Sequence, residues 1–140
     1  MNKLRSRTFV VFVIILVTAL VIISISLVPQ DSQATKLIVV SSTTFIPLDK
    51  PVKLTIKAID YEGHIDATRD DIIELYLTSV SYDKPMAKLN PRRIQLINGT
   101  GSAYIEGKVA EVVDVTIHWK EGISPLVSSK LHLFIGIGEE

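Results

Sequence analysis

Two hydrophobic patterns run along this chain, and they meet near residue 30. From Phe9 to Val28 the apolar positions are continuous: sixteen of twenty residues are Leu, Ile, Val or Phe, and no charged residue lies between Arg7 and Asp31. Twenty residues at about 1.5 Å each make a helix of about 30 Å, the thickness of a bilayer's hydrocarbon core, so residues 9–28 are expected to form a transmembrane helix. Side chains of this kind favour the bilayer by about 5 to 10 kcal/mol in sum. Thr18, Ser24 and Ser26 are tolerated within the run, because a hydroxyl can return its hydrogen bond to a carbonyl one turn back. Residues 29–35 read as a short polar link, and beyond it the pattern changes to an alternation of period two, rich in β-branched residues.

That alternation predicts seven strands. The first runs from Lys36 to Ser42 and is followed by a Ser-Thr stretch and Pro47, which suits only an edge strand. In the second, Val52, Leu54, Ile56 and Ala58 face inward, and the strand ends at Asp60-Tyr61-Glu62-Gly63, where glycine can take the positive φ of a turn. The third, Ile72 to Val80, turns Ile73, Leu75 and Leu77 inward, and residues 68–74 hold at most one turn of helix. Two short strands, Arg93 to Ile97 and Ser102 to Glu106, flank Asn98-Gly99-Thr100-Gly101, a hairpin signal. Val113, Val115, Ile117 and Trp119 mark the sixth strand, with Trp119 the largest expected core side chain; Leu131, Leu133 and Ile135 mark the seventh. Seven short antiparallel strands in about 100 residues favour a two-sheet sandwich over a small barrel. The expected class is therefore all-β: a seven-stranded immunoglobulin-like β-sandwich over residues 36–138, preceded by one N-terminal transmembrane helix.

Charge orients this arrangement. Lys3, Arg5 and Arg7 in the basic tail, residues 1–8, precede the apolar run, whereas the first charged residue after it is Asp31. Basic flanks stay in the cytoplasm, so the domain is expected on the extracytoplasmic side of a single-pass cell-membrane protein. Removing the three tail cations from the 15 Lys and Arg leaves 12 against 15 Asp and Glu, about −3 for the rest. That balance gives no nucleic-acid footprint. The run contains no ionisable group, which argues against a pump, channel or proton relay built on this helix alone. Two processed alternatives stand beside the anchor: a cleaved secretory signal, for which Ser32-Gln33-Ala34 offers small residues, and a pilin-type leader. Signal h-regions run about 7 to 15 residues, shorter than this one. With no cysteine, burial rather than disulfides must hold the exported domain together.

Candidate chemistry is sparse. The sequence holds no Cys nucleophile, no Gly-x-Ser-x-Gly elbow and no phosphate-cradling loop, and it suggests neither an enzyme nor a cofactor. His118 and His132 face outward on the last two strands, but with the loop centred near Ile123, His118 opposes Ser128 rather than His132; solvated surface histidines are the expectation. Asp60, Glu62, Asp66, Asp70 and Asp71 with His64 form an acidic cluster that lacks the spacing of a dedicated calcium loop. Asn98-Gly99-Thr100 satisfies the N-glycosylation triplet in an exposed turn, making Asn98 a candidate acceptor. Ile72, Tyr76, Tyr104, Val112 and Phe134 fall on outward positions and are the candidate partner-binding residues.

The order Leu54-Thr55-Ile56-Lys57-Ala58-Ile59-Asp60-Tyr61-Glu62-Gly63, then Ile73-Glu74-Leu75, then Ile94-Gln95-Leu96-Ile97-Asn98-Gly99-Thr100-Gly101, then Val113-Asp114-Val115-Thr116-Ile117 resembles the bacterial immunoglobulin-like domains of invasin type. Those modules similarly place an Ala-x-Asp-x-x-Gly turn after the second strand and a Gly-containing turn before the late strands. The resemblance implies adhesion, spacing or anchoring outside the cell, without a catalytic centre. One copy on an N-terminal helix departs from the tandem arrays of that family. A lone cysteine-free β-sandwich on a single helix also resembles, in architecture and size, the stator subunits that anchor the archaeal swimming filament, the archaellum. The expected function is a non-enzymatic, membrane-anchored envelope protein that binds another envelope or surface-filament protein, with a second copy of the chain as a further candidate partner. The alternative is a ligand- or carbohydrate-binding module, secreted or anchored.

Overall fold

The computed structural model describes residues 33–138. The basic tail, the apolar run 9–28 and Lys3, Arg5 and Arg7 lie outside the described residues. Among those described there is no helix long and apolar enough to cross a membrane. The fold is all-β, with nine strands: β1 (Lys36–Ser41), β2 (Phe45–Ile46), β3 (Val52–Ile59), β4 (Ile72–Ser79), β5 (Lys88–Asn90), β6 (Arg93–Gln95), β7 (Thr100–Glu106), β8 (Glu111–Glu121) and β9 (Ser129–Ile135). They form two sheets, a four-stranded one in the order β1-β3-β7-β5 and a five-stranded one in the order β2-β9-β8-β4-β6.

All seven expected strands are present, and two short ones join them. Both additions are edge strands: β2 pairs parallel to β9 and stops before Pro47, and β5 pairs with the end of β7. From β1 to β8 each strand lies in the opposite sheet from its predecessor, and β8–β9 is the one pair of consecutive strands that forms a hairpin. This corrects the reading of Asn98-Gly99. The turn itself forms, with Asn98 and Gly99 at positive φ and Ile97 and Thr100 exchanging backbone hydrogen bonds of 2.8 and 3.1 Å. Past that one pair the strands part, β6 joining β4 and β7 joining β3 and β5. Residues 68–71 form no helical turn; β4 starts at Ile72.

The inward alternation yields one dry layer. Leu37, Leu54, Ile56, Ala58, Ala103 and Ile105 from the four-stranded sheet share a core with Ile73, Leu75, Val113, Val115, Ile117, Leu133 and Ile135 from the five-stranded one. Trp119 differs from expectation, because its ring is only partly buried against the edge of that layer. Its indole N–H donates to Asp71 Oδ2 at 2.7 Å, and reaching that carboxylate keeps the side chain at the end of the sandwich.

Polar residues close both ends. At the end where β1 begins, Arg69 and Asp71 are buried, and Arg69 donates to Asp71 Oδ2 at 2.7 Å and to the Ser124 hydroxyl at 2.9 Å. The pair thereby joins the β3–β4 and β8–β9 loops. Asp66 accepts from the Ala34 amide and from the amide and hydroxyl of Thr68, so the packed domain reaches back to Ala34. Burial raises the Asp66 pKa, but the hydrogen bonds from Thr68 and Ala34, together with the nearby Arg69, hold it below the usual carboxylate range. At the opposite end the buried Glu111 accepts from the Met86 and Ala87 amides and from Ser79, fixing the β4–β5 loop.

Two stability predictions follow from these contacts. Asp71→Ala strands the buried Arg69 guanidinium, and is expected to destabilise the domain by about 3–5 kcal/mol in denaturant unfolding. The same substitution should red-shift the emission of Trp119, the only tryptophan in the chain. Gly99 sits at φ +73 with its Cβ position 2.2 Å from the Asp66 carbonyl oxygen, whereas Gly63, at φ +94, has nothing within 4 Å. Gly99→Ala is therefore expected to cost more than about 2 kcal/mol, and Gly63→Ala about 1, by the same measurement.

Candidate functional site

A sandwich whose inward faces are dry offers its two outer faces, its edges and its loops to the surroundings. Strand parity sends residues 72, 74, 76 and 78 of β4, the even positions 112–120 of β8, and 130, 132 and 134 of β9 to the outer face of the five-stranded sheet. Four of the five candidate partner-binding residues share that face: Ile72, Tyr76, Val112 and Phe134. Tyr104, on β7, stands on the outer face of the other sheet.

On the five-stranded face the apolar residues divide into two places. At the end where β9 finishes, Phe45, Phe134 and Val112 are cross-strand neighbours, with the rings of Phe45 and Phe134 stacked at 5.4 Å between centroids. His132 meets the Phe134 ring edge-on at 5.0 Å. This strip continues into an apolar cleft of about 250 Å³ lined by Phe45, Ile46, Pro47, Leu48, Gly136 and Ile137. Phe45 is 44% exposed and Leu48 41%, high values for such side chains. The sequence reading passed over both, although Phe45-Ile46-Pro47-Leu48 is an apolar run between two strands. A two-residue strand is too short for alternation to show.

Further along the face, Tyr76 lies among polar neighbours. Its hydroxyl donates to Glu74 at 2.7 Å and accepts from Lys120 at 2.8 Å, and Lys120 also pairs with Glu74 at 2.9 Å. His118 packs edge-on against the Tyr76 ring, and the Ser128 hydroxyl lies 3.5 Å from its Nδ1. The hydrogen bonds from Tyr76 and Lys120 lower the Glu74 pKa, and those with Tyr76 and Glu74 raise that of Lys120. Asp114 accepts from His132 at 2.7 Å and pairs with Lys130 at 3.2 Å, and the His132 bond is the main cause holding its carboxyl below the usual range. His118 and His132 thus belong to separate contacts, as their register requires. Ile72 is half-buried at the far end, opposite Glu121.

The acidic cluster is a built turn. Asp60 is buried, and its Oδ1 accepts from the Glu62 and His64 amides at 2.9 and 2.8 Å. Ligand atoms of Asp60, Glu62 and His64 lie within 4.8 Å of one another, and Glu62 and His64 are exposed. Asp66 and Asp71 are committed to the contacts described above, and Asp70 accepts from the Asn98 amide at 3.0 Å. Asn98 itself is exposed at the tip of its turn.

No family model matches the chain, and no curated protein is similar to it in sequence. Solved structures are similar in fold. A glycosyl hydrolase family 2 member from Bacteroides cellulosilyticus aligns at 12% identity with a TM-score of 0.61, over 74% of this chain and 14% of that one. The Yersinia pseudotuberculosis adhesin InvE aligns at 8% identity and 0.58, over 74% of this chain and 32% of that one. The D00-D0 domain of intimin aligns at 10% and 0.53, over 74% and 48%. The chain thus spans less than half of each of these proteins, and what it shares with them is the fold: an immunoglobulin-like β-sandwich.

Proposed function

We propose that this chain is a non-enzymatic cell-envelope protein, anchored by the apolar run 9–28 with Lys3, Arg5 and Arg7 on the cytoplasmic side, whose immunoglobulin-like domain docks onto another protein outside the membrane. The observation that carries the docking is the strip of exposed Phe45 and half-buried Phe134 and Val112, opening into the cleft beside the exposed Leu48 and Ile137. Contiguous, partly exposed apolar surface of this kind marks interaction sites. The strip lies on β2, β9 and β8, strands fixed by the core, so a partner meets a preformed surface. The likeness to domains of an adhesin and of intimin supports a surface role. A filament stator or a contact to a surface layer is one concrete form of this reading.

The experiment is photocrosslinking in the native envelope, with a photoreactive phenylalanine analogue placed at Phe134, at Val112 or, as the control face, at Tyr104. Phe134 and Val112 are expected to give the same discrete adduct, and Tyr104 none of that mass. Adducts from Tyr104 alone would overturn the assignment of the face. Recovery of the intact chain in the membrane fraction, with its N-terminal residues present, checks the anchor; a product starting after Ala34 would favour the secreted alternative.

A further inference from the structure

We propose that the outer face of the four-stranded sheet is a binding surface for an acidic polysaccharide. This face carries Lys36 on β1, Lys53 and Lys57 on β3 and Lys88 on β5, against the single acidic residue Glu106 on β7. Among the described residues none of these four lysines has a carboxylate within ion-pair distance, although Lys88 stands opposite Glu106 in register. On the five-stranded face both lysines, Lys120 and Lys130, are paired with carboxylates, and only Arg93 on the edge strand β6, opposite Glu74 in register, has no carboxylate within ion-pair distance among the described residues. Lysines on edge strands such as β1 and β5 guard against unwanted strand pairing, but β3 is an interior strand and has no free edge to guard. Lys53 and Lys57 therefore call for a different reason.

The groups between the lysines narrow the ligand. Lys53, Tyr104 and Asn90 stand in one cross-strand row, and Thr55 and Ser102 in the next. Tyr104 is 50% exposed, which leaves a ring available for stacking at the middle of the face. Among the described residues the side chains of Thr55, Ser102 and Asn90 hold no hydrogen bond, which leaves their donors and acceptors on the outer face for a ligand. Unpaired ammonium groups take carboxylates, hydroxyl and amide side chains take sugar hydroxyls, and an exposed ring takes the apolar face of a pyranose. Lys53 and Lys57 lie about 13 Å apart along β3, so one linear chain of uronates can reach both. A lipid head-group surface shares the negative charge, but would leave the hydroxyl and amide groups of the middle rows without matched partners. Only the encounter outside the cell rests on the function proposed above, and the surface itself is tested without it.

The experiment uses the full chain in non-ionic detergent, with immobilised polygalacturonate as probe, neutral dextran as control and phosphatidylglycerol vesicles as the competing source of charge. Binding to polygalacturonate and not to dextran is expected, weakening about tenfold or more as salt rises from about 50 to about 200 mM. Lys53→Glu with Lys57→Glu is expected to reduce affinity at least about tenfold, with Lys53→Gln and Lys57→Gln as the milder pair should the first fail to fold. Unchanged Trp119 emission reports the fold in each case. Lys120→Glu with Lys130→Glu, on the other face, is expected to leave binding within about twofold. Failure of the wild-type chain to bind polygalacturonate, equal loss from both pairs, or retention by vesicles alone would overturn the proposal. None of these results bears on the Phe134 crosslink, so the two readings fail separately.

Discussion

In a chain without cysteine, the dry layer between the two sheets is the constraint to which every other feature answers. The inward residues of β3, β7, β4, β8 and β9 are nearly all buried aliphatics, and each Val, Leu or Ile among them contributes about 1.5–3 kcal/mol through removal from water. A layer of that kind cannot tolerate open ends, because buried backbone groups need partners. The few buried charges sit where the layer would otherwise gape. Asp71 and Arg69 close one end by joining two loops and the Trp119 indole, and Glu111 closes the other by holding the β4–β5 loop.

With the inside committed to packing, the outer faces are free to differ, and they do. The five-stranded face has both its lysines paired with carboxylates and its two phenylalanines stacked at one end beside an apolar cleft. The four-stranded face leaves its lysines unmatched around one tyrosine. Both surfaces rest on rigid strands, so recognition on either would require little reorganisation of the backbone. One face is suited to shape and apolar contact, the other to charge and salt-sensitive contact.

Much of this was legible in the sequence because strand parity is a local property. Ile73, Leu75 and Leu77, or Val113, Val115 and Ile117, announce their buried face by alternation alone. What alternation does not carry is which sheet a strand joins. Tyr76 and Tyr104 both read as outward, and only the topology separates them onto opposite faces. Asn98-Gly99 likewise specifies a chain reversal, but not whether the strands stay paired beyond it. The strands β2 and β5 were invisible because two or three residues beside a proline show no period. Asp71 and Trp119 are 48 positions apart, and no local rule joins a turn aspartate to a strand tryptophan. Nothing local singles out Glu111, since its partners are Ser79 at the end of β4 and Met86 and Ala87 in the loop that follows.

The alternation of the chain between sheets has a consequence in time as well as in space. Since β8 and β9 are the one consecutive pair among the described residues that stays together, every other sheet pairing closes a loop around at least one further strand. Closing such loops costs entropy before any contact rewards it, which places this domain among slow, high-contact-order folders. The β8–β9 hairpin is the local nucleus the topology offers, and it lies in the last third of the chain. Synthesis therefore delivers β1, β3 and β7 to the environment before the hairpin they must pack against exists. These strands must be kept from pairing with other chains until the C-terminal segment arrives.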